Sequence, residues 1–239
     1  MGSLAEENKE CVKGGRKPRI LCLHGFRTSG EIMKLQVLTK WPATVTSRVD
    51  LVFPDAPWPA AGKSDVEGIF SPPYYEWFQF DKDFMEYKNL NEGIEYIEDL
   101  MIKHGPIDGL MGFSQGAILS AALIGMQAKG LVLTRVPKLK FVIIIGGAKF
   151  QSPVVSEKAY SIKITIPSLH FIGAEDFLKE HGLLLLESFV DPVVIHHPKG
   201  HTVPRLDPKS EEMVVGFIDN IEKDILDDAL MDEQEEYTA

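Results

Sequence analysis

Gly109-Leu110-Met111-Gly112-Phe113-Ser114-Gln115-Gly116-Ala117-Ile118-Leu119-Ser120-Ala121-Ala122-Leu123 reads as a short apolar strand, Gly109 to Met111, that runs into an Ala/Leu-rich helix. Ser114 sits on the turn between them. A tight strand-to-helix turn forces its serine into strained backbone angles, and small residues are needed on both sides so that the crossing backbones do not collide. Gly112 and Gly116 supply that room. Held in this way, the Ser114 hydroxyl stands above the sheet edge. The backbone N–H of Gln115, at the helix start, points toward any oxygen that becomes negative there.

Outward from this turn, strand-like apolar runs recur with helical segments between them: Arg19 to Leu23, Leu51 to Phe53, Phe141 to Ile145, Ser168 to Ile172 and Val193 to His196. Alternation of this kind predicts an α/β fold with a mainly parallel sheet of about six strands and helices on both faces. Phe141-Val142-Ile143-Ile144-Ile145 is apolar without alternation, so it is expected to be a central strand buried on both sides. Ile94, Ile97 and Met101 mark one core helix. Asp207-Pro208 caps a second, whose apolar stripe is Val214, Phe217, Ile218, Ile221 and Ile225.

At 239 residues, without an internal repeat or a dividing linker, the chain is expected to form one domain over residues 17 to 226. Residues 1 to 16 read as a flexible lead-in and 227 to 239 as a solvated acidic tail. The start Met1-Gly2-Ser3-Leu4-Ala5-Glu6 has Glu6 where a myristoylation signal wants serine or threonine, and it fits neither a secretory signal nor a transit peptide. The 44% apolar and 25% charged residues are those of an ordinary globular protein, with no run long enough to cross a bilayer. A net charge of -10 argues against broad attraction to nucleic acid. Two cysteines, Cys11 and Cys22, are poorly placed to bridge and suggest a reducing, cytoplasmic address, with the nucleus also open.

Pro54 to Asp81 breaks the regular alternation with crowded prolines and aromatics, among them Trp58, Phe70, Tyr74, Tyr75, Trp77, Phe78 and Phe80. Ordinary connections run to about 4–6 residues. This one is expected to wall a pocket, to plug the core, or both, with Tyr74, Tyr75 and Trp77 as candidate substrate contacts.

A serine hydroxyl is a poor nucleophile at neutral pH, so Ser114 needs a base and a third group that orients the base. Five of the seven histidines follow it: His170, His181, His196, His197 and His201. His201 stands in the loop Pro198-Lys199-Gly200-His201-Thr202-Val203-Pro204 between the last strand and the last helix, where Gly200 lets the backbone turn the imidazole toward the carboxyl end of the sheet. It is favoured over His197. Asp176, just past a strand in Gly173-Ala174-Glu175-Asp176, is the favoured acid, with Glu175 as its rival. The second oxyanion donor is expected from Leu23-His24-Gly25-Phe26-Arg27, as the amide of Phe26 or of Arg27, with His24 in a structural role. Arg27 could receive an anionic substrate group or pair with Asp55 or Asp65. The spacing of His196, His197 and His201 lacks a zinc motif, so no metal is expected.

The same residues resemble the FSH family of serine hydrolases in the α/β-hydrolase superfamily, and most of all its plant members. The resemblance runs from about Lys17 to about Ile225 and is carried by Ile20 to Arg27, Asp55-Ala56-Pro57, Tyr74 to Phe78, Gly109 to Gly116 and Gly200 to Pro204. It implies an α/β-hydrolase with a Ser114/Asp176/His201 triad, the amides of Gln115 and Phe26 as oxyanion donors, and esterase-type action on a small-molecule ester without a cofactor. Relatives of this kind include carboxylesterases and thioesterases of fungal biosynthetic clusters. Some plant relatives are labelled as linked to dihydrofolate reductase, yet no nucleotide site is readable in this chain. Lys199 departs from a second glycine common among relatives. A thioesterase or an acyltransferase with the same triad is the alternative within enzymes. A ligand receptor on a hydrolase scaffold is the alternative outside them. A monomer or weak homodimer, with no nucleic acid or membrane partner, is expected.

Overall fold

The computed structural model describes residues 16–238, and side chains as far as Met231. The expectations for residues 1 to 15, Cys11 included, lie outside the described residues. In chain order the elements are β1 (Arg19–Leu23), α1 (Gly30–Lys40), α2 (Ala43–Thr46), β2 (Asp50–Val52), β3 (Trp58–Pro59), β4 (Tyr75–Glu76), β5 (Gln79–Phe80), β6 (Tyr87–Lys88), α3 (Leu90–His104), β7 (Gly109–Phe113), α4 (Gln115–Ala128), β8 (Phe141–Ile145), α5 (Pro153–Tyr160), β9 (Ser168–Gly173), α6 (Lys179–Leu186), β10 (Val193–His197) and α7 (Pro208–Thr238).

Six of the strands form one sheet in the order β10-β9-β8-β7-β1-β2, and every pairing in it is parallel. Successive side chains of a strand face opposite sides, and both sides are covered here. Leu21, Leu23, Leu110, Val142 and Ile144 pack under α3, α4, α5 and α6. Ile20, Cys22, Met111, Ile143, Ile145 and Phe171 pack on the other face under α1, α2 and α7. This double burial explains why β8 has no polar alternation.

Strand ends differ by a residue or two from the sequence reading. β2 is Asp50–Val52 and not Leu51 to Phe53, and the strand before the serine runs on to Phe113. The cap of α7 forms as read: Asp207 Oδ1 accepts the Ser210 N–H at 2.7 Å, and Val214, Phe217, Ile218, Ile221 and Ile225 are buried. The helix then continues through the acidic stretch to Thr238, so residues 227 to 238 are helical. Leu226, Leu230 and Met231 are exposed along it.

The order in which strands are added to the sheet reverses at β1, which has β2 on one side and β7 on the other. In parallel sheets ligands bind at the carboxyl ends of the strands beside such a reversal. The loops after β1, β7, β9 and β10 all start at that rim, and they carry Phe26, Ser114, Asp176 and His201.

Candidate active site

Ser114 has φ 54° and ψ −116°, a conformation costly for any residue with a Cβ. Its neighbours hold it there: its N–H donates to the Ile145 carbonyl at 3.0 Å, and its own carbonyl accepts from Ala117 and Ile118 at 2.9 and 3.0 Å. The two flanking glycines are sterically required. A Cβ on Gly112 would lie 2.3 Å from the Gly116 carbonyl oxygen, and one on Gly116 would lie 2.0 Å from the Leu23 oxygen. The second contact presses α4 onto the end of β1, which brings the elbow against the loop that follows β1.

His201 and Asp176 meet. The Nδ1 of His201 is 2.9 Å from both carboxylate oxygens of Asp176, whose side chain is 3% exposed. A carboxylate only accepts, so Nδ1 carries the proton and the lone pair lies on Nε2. That Nε2 is buried and has no hydrogen-bond partner among the described residues. The imidazole lies against Phe113, the residue before Ser114, at 4.9 Å between ring centroids, and against Phe177 at 4.5 Å. Asp176 is fixed in turn by the Leu178 N–H, which donates to its Oδ1 at 2.7 Å. No Ser114–His201 hydrogen bond forms in this arrangement.

The rivals fall elsewhere. Glu175 and His196 are exposed. His197 is buried beside Gly173, and burial lowers its pKa. Gly200 lies outside the left-handed residues, so the histidine loop turns without the backbone freedom expected of it. Among the described residues no group of His, Cys, Asp and Glu could hold a metal ion, and no helix is long and apolar enough to cross a membrane.

His24 is a buried scaffold residue. Its Nε2 accepts from the Ala56 N–H at 3.0 Å and its Nδ1 lies 2.8 Å from the Gly25 carbonyl, so the ring is neutral. Burial lowers its pKa to about 4. Arg27 pairs with neither Asp55 nor Asp65. Its Nε donates to the buried carboxylate of Glu76 at 2.8 Å and one terminal nitrogen reaches the Lys63 carbonyl, because the bridge between Thr28 and Tyr75 sets Arg27 beside Glu76. Its Nε and one terminal nitrogen are engaged in this way, and its guanidinium carbon lies 4.6 Å from the centre of the Phe26 ring.

Tyr74, Tyr75 and Trp77 are each bonded within the protein, and none of them lines the aromatic cavity. Tyr74 bonds its hydroxyl to the Phe70 carbonyl, and the Tyr75 N–H donates to the Thr28 carbonyl at 2.7 Å. The fully buried Trp77 donates its indole N–H to the His24 carbonyl and its backbone N–H to the Gln115 side-chain oxygen, both at 2.9 Å. Gln115 Nε2 donates in return to the Phe78 carbonyl at 2.8 Å. The aromatic segment therefore ties the loop after β1 to the start of α4, the two places from which the amides of Phe26 and Gln115 come.

The substrate-sized cavity lies beyond this clamp. It measures about 370 Å³ and is walled by the rings of Phe78, Phe80, Phe84, Tyr87, Phe150 and Phe177, with Gln115, Ile118, Lys149 and His181 among the other residues on it. Phe78 and Phe80 belong to the aromatic segment, but the hairpin they start runs on through Tyr87–Lys88. Sequence reasoning misses Phe84, Tyr87, Phe177 and His181. Phe177 follows Asp176 directly, a proximity in the chain that could have signalled it.

Residues 13–213 match the model of the serine hydrolase family FSH1. An esterase of Anopheles gambiae is 32% identical over 221 residues, covering 88% of this chain and 80% of the relative. A Schizosaccharomyces pombe protein named dihydrofolate reductase is 31% identical over 206 residues, which are 78% of this chain and 44% of that protein. The crystal structure of Arabidopsis thaliana SOBER1 shares the fold with a TM-score of 0.57 at 20% identity, over 86% of this chain and 99% of that one. A family match over most of the chain is joined by this esterase similarity, and the chain belongs to the FSH1 family of serine hydrolases.

Proposed function

We propose that the protein is a carboxylesterase that works through an acyl-enzyme on Ser114, with His201 as general base and Asp176 as its orienting acid. The observation that carries this reading is the His201–Asp176 pair at 2.9 Å, with a buried, unpartnered Nε2, at the same rim as the strained Ser114. In this reading the Ser114 hydroxyl turns to Nε2 when substrate binds. His201 then takes the hydroxyl proton as the serine oxygen attacks the ester carbonyl. The carbonyl oxygen gains the negative charge. The amides of Gln115 and Phe26 are the donors for it: as the first residue of α4, Gln115 has an N–H with no intrahelical acceptor. Collapse of the tetrahedral species expels the alcohol, which leaves with the proton held by His201. Water repeats the cycle, so that ester and water become acid and alcohol and the enzyme returns unchanged.

His201⁺ is transient, and a carboxylate held against Nδ1 stabilises it. Initial rates on p-nitrophenyl esters and on matched thioesters test these roles. Ser114→Ala is expected to lower kcat on the order of 10⁴-fold or more, and Asp176→Asn by about 10⁴-fold because it favours the wrong tautomer. Ester turnover that survives Ser114→Ala in a folded variant contradicts the assignment.

A further inference from the structure

The wall of the aromatic cavity contains a cation that the catalytic reading leaves unused. Six rings, Phe78, Phe80, Phe84, Tyr87, Phe150 and Phe177, make the cavity apolar, and the only ionisable side chains described on it besides Tyr87 are Lys149 and His181. Both are basic. No described carboxylate lines the cavity, although acidic residues outnumber Lys and Arg by 35 to 25 in the chain. Lys149 is half-buried, and no described carboxylate lies within ion-pair distance of it. Its Nζ sits 5.8 Å from the centre of the Tyr160 ring, a cation–π contact. A partly exposed ammonium at an apolar wall attracts and orients an anion that meets it there.

Two further polar groups on the cavity are already committed, while the Gln151 side chain also lines it. Gln115 has both ends of its amide bonded within the protein, and the Tyr87 hydroxyl donates to the Phe84 carbonyl. Gln115 and Ile118, one and four residues after Ser114 on α4, line the cavity, as does Phe177, which packs on the His201 ring, so the cavity adjoins the rim although neither Ser114 nor His201 lines it. The leaving group must stay within reach of His201 Nε2 to collect its proton. The cavity beside Ile118 is thus assigned to the acyl portion.

We infer that the preferred substrate is an ester whose acyl group is apolar along its length and carries a carboxylate that pairs with Lys149. This rests on the reading of Ser114 as the nucleophile. The acyl chain fills the aromatic volume, and the carboxylate satisfies the lysine. A charged hydrogen bond in a partly dry site is stronger than a neutral one, so discrimination between an acid-bearing ester and its neutral counterpart reads directly on Lys149.

The test compares kcat/KM for mono-p-nitrophenyl esters of succinate, adipate and suberate with p-nitrophenyl esters of neutral acids of matched length. A para-carboxyphenyl ester of octanoate is added to place the charge on the leaving group. The expected result is that at least one acyl-borne acid is preferred over its neutral match. The preference falls roughly tenfold in Lys149→Gln, inverts in Lys149→Glu, and is regained in Lys149→Arg. It also weakens as salt is added. A preference for neutral esters at every length, a preference unmoved by these variants, or a preference for the charge on the leaving group overturns the inference. Labelling by a fluorophosphonate probe separates the two readings. Labelled protein that prefers neutral esters refutes the acid-bearing substrate alone, whereas protein that neither labels nor hydrolyses any ester refutes the nucleophile reading and this inference with it.

Discussion

A single backbone angle at Ser114 links sequence to chemistry. Its φ of 54° is tolerated because β8, α4 and the two flanking glycines over-determine the turn. The residue most sensitive to change is Gly116, where even a methyl group would meet the Leu23 carbonyl at 2.0 Å. Backbone cannot yield there without parting α4 from β1. Gly116→Ala is therefore expected to cost about 3 kcal/mol in urea unfolding and to abolish ester turnover in whatever fraction remains folded. Unchanged stability with full turnover would show that the close crossing is not what holds the elbow. At this scale the sequence is informative because the chemistry needs particular residue types in particular places: glycine at i−2 and i+2 of the serine, a carboxylate after one strand, and a histidine after the next. Arg27 is not legible, since its partner Glu76 lies 49 positions away and it is the bridge between their neighbours Thr28 and Tyr75 that brings them together.

Elements differ in how plainly they show themselves. β1 and β8 are readable to the residue, because a strand buried on both faces is an unbroken apolar run with polar or glycine residues at its ends. The stripe of α7 is readable as far as Ile225, where apolar periodicity stops, but the helix goes on to Thr238. Acidic residues of good helix propensity can extend a helix that is already nucleated, without a buried face to announce it. The aromatic segment is the hardest case. Composition marks it as special, yet nothing in the order of its residues distinguishes rings that face the cavity, such as Phe78 and Phe80, from Trp77, which is fully buried and bonded to His24 and Gln115. Those partners lie 53 and 38 positions away, a separation local patterns do not report. The result is a segment that ties the loop after β1 to the start of α4 through Trp77 and also walls the aromatic cavity with Phe78 and Phe80.

Across the whole molecule, buried histidines held neutral contribute to the response to acid. Burial brings the pKa of His24 down to about 4. His170, whose ring nitrogens have no hydrogen-bond partner among the described residues and which packs edge-on against Phe189, is brought down to about 3. Both values lie below the unfolded value of 6.5. Between that value and the folded ones the unfolded chain binds more protons, so the stability these rings contribute is complete above about pH 6.5 and is lost as pH falls toward about 4 and about 3. Within that window each such ring removes about 1.4 kcal/mol of stability for every step of one in pH. His170→Leu, which keeps an apolar group in β9 and removes the proton acceptor, is expected to lose roughly 2–3 kcal/mol less than the wild type between about pH 7 and about pH 4.5 in chemical unfolding. Identical losses would place the acid sensitivity elsewhere.

The central claim, that Ser114 is the nucleophile activated by His201, is tested most directly by intact-mass and peptide mass spectrometry after treatment with a fluorophosphonate. One adduct per chain is expected, located on Ser114 and formed far more slowly in His201→Ala. A folded wild-type protein that takes no adduct, or takes it on another residue at the same rate with and without His201, contradicts the claim.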